Sequence, residues 1–249
     1  MSGGGAEMFA RYAYAPNRLG YCGPPDAAAL RDGSDEQVRA VARRFTGAWP
    51  YLQVMARMTG IADPLDRRLV ESYWLGGGVG AALEPAEFTA ELLALLGPVA
   101  GGYWTHLNPQ LSEEAAANHC FHVFGVYPWS RLLGHGSEHP LHVLDSCRIT
   151  WGTVLDRTDT EIALRCRRLH WDGQRLGLSP ETVRHMPIRV DGYAAVPDVS
   201  GGERVAVHWG RLCGRLDEAQ VPALEAGTVR QLEATNRRLA RAAARPVSR

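Results

Sequence analysis

The sequence contains no lysine: its 27 basic residues are all arginine, and 27 aspartates and glutamates bring the formal net charge to zero. A neutral chain makes no electrostatic case for binding nucleic acid or an anionic membrane, both of which favour a basic excess. Arginine without lysine, in a background rich in Ala, Gly and Leu, suggests GC-rich coding of the bacterial kind. No apolar run approaches the roughly 18 residues of a membrane span, and MSGGGAEMFARYAYAP lacks a secretory h-region, so a cytoplasmic protein with no membrane partner is expected. The five cysteines, Cys22, Cys120, Cys147, Cys166 and Cys213, are odd in number and form no CxxC pair. That sets aside a disulfide framework and leaves individual reactivity or metal ligation. A hydrolase elbow, a phosphate loop and a zincin helix are also missing.

What is present is ample apolar content, 45% of 249 residues, enough for a substantial core. Apolar residues recur at three- and four-residue spacings over 35–60, 63–75, 85–96 and 112–126, which predicts helices, with starts at Asp63-Pro64 and at Ser112. The GGGVG run at 76–80 follows a helical pattern instead of a strand and reads as a turn. GHGSEHP at 134–140 breaks the helical texture and marks a domain boundary. Beyond it, CRITWGTVL, EIALRCRRLHW, VDGYAAVP and GERVAVHWG alternate with turn residues as short strands do. From Asp217 to about Ala244 an apolar face returns, interrupted by Gly227. The expected fold class is α+β: an α-helical domain over 1–139, then over 140–249 a small β domain closed by an amphipathic helix.

Two groups of residues carry candidate chemistry. In the helical half, NHCFHVFGVYPW places His119, Cys120 and His122 within one turn, and imidazole and thiolate are good ligands for zinc, iron or copper. A complete site would call on His106 or Cys22 as well, and Cys22, in the RLGYCGPPD turn, is also a candidate reactive thiol. These residues would suit a metal- or haem-dependent enzyme with its site in the helical domain.

The second group begins at Cys147, followed after four residues by Gly152 and then Val154, and continues in GERVAVHWGRLCGRLDEAQ with Gly202, Glu203, Val207, His208, Gly210, Leu216, Asp217 and Glu218. Over about residues 143–235 this pattern resembles the HypC-type chaperones of [NiFe] hydrogenase maturation. The resemblance implies an OB-like β-barrel with a final helix, and an iron fragment held transiently by Cys147 with His208 close by. It implies a non-enzymatic role with the hydrogenase large-subunit precursor or other maturation proteins as partners. It also places Cys147 at a solvent-accessible barrel edge, where an adjacent His208 imidazolium would make it the most reactive of the five thiols. Unlike the family's cysteine, Cys147 is internal and offers only its sulfur.

Overall fold

Helical periodicity is first visible at residue 35, yet the chain opens with a helix, α1 (Gly5–Arg18). Its buried residues include Met8, Phe9, Tyr12, Ala13 and Tyr14 and lie on most sides, leaving only the narrow polar stripe of Glu7, Arg11 and Arg18 to reveal it. A computed structural model describes residues 4–25, 27–100, 104 and 106–244. Pro16 lies inside α1. Having no N–H, it leaves the carbonyl four residues earlier, that of Tyr12, without its helical donor.

The chain continues through α2 (Ala29–Asp32), α3 (Asp35–Ala42), α4 (Ala48–Thr59), α5 (Arg67–Leu75) and α6 (Pro85–Ala100); α2, α3 and α5 pack on α1, and α4 packs on α5 and α6. The expected helix over 35–60 is therefore two helices broken at 43–47, and the one over 63–75 starts later than Asp63-Pro64. Asp66 caps α5 by accepting from Arg68 N, while Asp63 instead accepts from Leu65 N in the preceding turn. The expected helix over 112–126 also dissolves. A 3₁₀ turn covers Pro109–Glu113, an irregular stretch follows, and α7 (His119–Phe121) runs directly into a π-helical turn, His122–Val126. The irregular stretch survives because its carbonyls find partners elsewhere: Glu114 O accepts from Gln231 and Ala115 O from Arg230.

Cys147, expected just before the first strand, ends a helix, α8 (His139–Cys147), and the strand begins at Thr150. The strands β1 (Thr150–Arg157), β2 (Glu161–Cys166), β5 (Thr182–Pro187), β6 (Arg204–His208) and β7 (Arg211–Arg215) form one antiparallel sheet in the order β5-β2-β1-β6-β7. A separate hairpin joins β3 (Leu169–Trp171) to β4 (Leu176–Leu178). The sheet is open, and no closed barrel forms among the described residues, because β5 and β7 are its two edges. Gly152 is fixed by packing: a Cβ there would fall 2.5 Å from Arg165 O on β2. VDGYAAVP supplies only a single bridge, Val190 to Tyr193, instead of a strand.

The last helix, α9 (Gln220–Ala243), runs unbroken through Gly227. Its Asn236 pairs with both the N–H and the C=O of Leu176 on β4, and its Arg238 bonds Glu114, Phe124 O and Ser130 Oγ. One helix thus grips both halves of the chain. The largest buried cluster likewise takes α1–α7 residues together with Ile149, Ala206, Cys213, Leu216 and Leu224 from beyond residues 134–140. No helix among the described residues is long and apolar enough to cross a membrane.

Candidate metal centre

Cys147, His119 and His208 come from three different elements and meet in the interior. One donor atom from each lies within 4.8 Å of the others. All three are buried, with 6%, 4% and 1% of their surface exposed.

His208 ends β6, and its position is set from two sides. Trp209 and Gly210 form the two-residue turn into β7, where His208 pairs with Arg211 and both turn residues have positive φ, 52° and 71°. A type I′ hairpin demands that geometry, which glycine accepts readily and tryptophan does not. Trp209 is held there by its backbone N–H, which donates to Ser146 O at 2.8 Å, and by its ring, which stacks on Tyr21 with centroids 3.9 Å apart. The Ser146 bond ties the end of α8 to the hairpin and so sets Cys147 beside His208. From the other side, His208 Nδ1 donates to Tyr12 O at 2.7 Å, the carbonyl that Pro16 leaves without its helical donor. With its proton on Nδ1, the imidazole turns the lone pair of Nε2 inward, and Nε2 is buried without a hydrogen-bond partner among the described residues.

α8 itself is anchored by Asp145. Its carboxylate accepts from Leu169 N, Arg168 Nε and the fully buried Arg148, joining α8 to β3. Burial lowers the pKa of Arg148, an effect that Asp145 opposes. His119 follows Asn118, whose side chain caps α7 by accepting from Phe121 N. The His119 ring contacts Trp74 at 4.8 Å and His208 at 5.0 Å, and its Nδ1 is buried without a partner among the described residues.

Two buried imidazole nitrogens without partners are costly unless something meets their lone pairs. Burial holds the His208 pKa down to about 4, against the opposing pull of the Tyr12 and Cys147 carbonyls, and holds that of His119 well below the ordinary range, with His208 and His122 adding to the effect. Burial pushes the Cys147 thiol up to about 12, with the Trp209 indole working the other way. The trio is therefore one thiol and two neutral imidazoles, electrically neutral and rich in soft donors. A tetrahedral ion with bonds of roughly 2.0–2.3 Å sets its donors about 3.3–3.6 Å apart, so modest closure of the triangle would complete three bonds. The residues present fit a metal of the zinc, iron or copper kind.

The donors border a cavity of about 270 Å³ walled largely by aromatic rings, among them Tyr21, Tyr73, Trp74, Tyr127 and Trp209. Cys22 and His122 also line it. The two groups of candidates in the sequence thus converge: Cys147 and His208 from one, His119 from the other, with Cys22 and His122 on the wall. His106 and Cys120 stand apart. His106 Nε2 pairs with Val126 O beside a different cavity, and Cys120 faces α9, its sulfur 3.6 Å from Gly227 O. The expectation of an exposed Cys147 activated by an imidazolium is corrected on both counts, because burial removes the thiol from solvent and keeps His208 neutral. Sequence reasoning missed Tyr12 and Trp209, although Pro16 inside an Ala-rich segment and a bulky residue before Gly210 were visible signals.

Comparison with curated proteins and with solved structures gives no match. One family model matches residues 1–242, nearly the whole chain. The protein whose helical half and sheet jointly build this thiol–imidazole pocket therefore belongs to DUF6390, a family of unknown function.

Proposed function

We propose that the protein is a non-enzymatic metal-handling accessory factor of [NiFe] hydrogenase maturation, which holds iron transiently and passes it to the large-subunit precursor or to another maturation protein. The observation that carries the reading is the convergence of Cys147, His119 and His208 within 4.8 Å, all buried. The hydrogenase assignment rests on the HypC-like pattern. Its residues supply the cysteine, the close-packed Gly152, the core Val154 and Val207, and His208 with its turn glycine Gly210, all in or beside the β1–β6–β7 unit that builds the pocket.

In this role the Cys147 sulfur gives up its proton when the cation arrives, and the two neutral imidazoles bind without proton loss. The aromatic walls keep water from competing for the remaining coordination position. Because a thiolate and two imidazoles leave a divalent ion's charge only partly compensated, a partner that supplies further anionic ligands can draw the ion away.

The test is metal analysis of protein purified without chelator, together with complementation of a deletion strain. Wild type is expected to retain about one iron per chain, and Cys147→Ala, His119→Ala and His208→Ala each to lose it and to fail to restore hydrogenase activity. Metal content indifferent to all three substitutions, or normal hydrogenase activity in the deletion strain, would sink the proposal. A second reading, a metal-dependent enzyme, is favoured by the cavity on the open side of the donors. At about 270 Å³ it falls just below the range of roughly 300–1,000 Å³ typical of ligand pockets, which fits a small substrate better than a haem.

A further inference from the structure

We infer that Cys22 is the fourth ligand of the centre, so that the N-terminal loop closes a two-thiolate, two-imidazole donor set over the bound ion. The inference rests on the metal-binding reading above and specifies its coordination. Three buried donors leave one tetrahedral position to fill, and two further candidates line the same cavity, Cys22 and His122.

Geometry separates them. His122 sits in the π-helical turn, its ring 4.2 Å from Tyr127, 5.4 Å from Tyr51 and 6.1 Å from His119. It cannot swing toward the open face of the triangle without breaking those contacts. Cys22 lies in a loop between Gly20 and Gly23, at φ 77° and 80°, the left-handed region that glycine adopts without strain; Gly20 stands in open space, while Gly23 packs against Phe45 and Asn17. The loop backbone is nevertheless anchored: Asn17 Nδ2 donates to both Cys22 O and Pro24 O, and Tyr21 stacks on Trp209, the residue after His208. The anchors keep the half-buried Cys22 beside the pocket, on the wall of the cavity that the three donors border. Its electrostatic coupling to Cys147 agrees with that placement.

Two thiolates would neutralise a divalent ion in full, where one leaves a positive charge buried among aromatic rings. Withdrawal of Cys22 would then open the position through which an incoming ligand takes hold of the ion.

Cobalt(II) loaded into the full-length protein reads the number of thiolates through its sulfur-to-metal charge-transfer absorption. Cys22→Ala is expected to lower that band about twofold, Cys22→Ser to behave likewise, and His122→Ala to leave it unchanged. X-ray absorption of the unsubstituted cobalt protein is expected to count two sulfurs, which keeps the test open should the Cys22 variants fold poorly. A band unchanged by Cys22→Ala, or one sulfur in the wild-type protein, overturns the fourth ligand while leaving the three-donor centre standing. The absence of any thiolate band in wild type overturns both.

Discussion

A thiol whose pKa is pushed up to about 12 must lose its proton before its sulfur can hold a cation, and that single proton governs how Cys147 responds to pH. His208 is already neutral above its value of about 4, so it adds no proton to the exchange near neutrality. If Cys147 is the only ligand that ionises, log affinity should rise by one unit per pH unit, or about tenfold, between roughly pH 5 and 8. If Cys22 joins as a second thiolate, the slope should approach two, since burial raises its pKa as well. Competition against a chelator of known proton dependence measures the slope. A value near zero would mean that sulfur is not a ligand.

At the scale of elements, the donor orientation of His208 depends on a defect in α1. Pro16→Ala would return an N–H to the position that serves Tyr12 O and set it in competition with His208 Nδ1. The helix should be no less stable, yet metal affinity should fall by about 10–100-fold, the usual effect of losing an outer partner of a metal-bound imidazole. Circular dichroism and a metal titration on the same variant check both halves of that expectation. The elements differ in how plainly the sequence announces them. The alternation in β2 and the apolar face of α9 read directly, because each has one face in the core and one in solvent. α1 reads less plainly, since a helix buried on most sides leaves only the narrow stripe of Glu7, Arg11 and Arg18 as its signal. The irregular stretch after Glu113 has a helical pattern, but α9 side chains claim its carbonyls, and that choice is settled by residues more than a hundred positions away. The site is legible only in part for the same reason. The Cys147–His208 pairing follows from the resemblance, whereas nothing in local spacing brings His119 to them, nor tells that a cysteine at a turn is buried.

For the whole molecule, α9 and the shared core bind together the two stretches that meet at residues 134–140. Residues 134–139 are all exposed, so a protease should cut there readily. The nicked pieces should nevertheless co-elute on gel filtration and part only in denaturant, because Asn236 and Arg238 of α9 grip opposite sides of the cut. Separation under native conditions would mean that the two halves are independent domains. The hydrogen bond between His208 and Tyr12 spans 196 residues and has a consequence in time as well as space. During synthesis the ribosome must deliver β6 before the imidazole exists to meet the carbonyl waiting in the first helix. A nascent or truncated chain has cysteines and histidines but no pocket, and under the proposed role loading would become possible only once the chain is nearly finished. The metal would then serve as a seal on a completed fold.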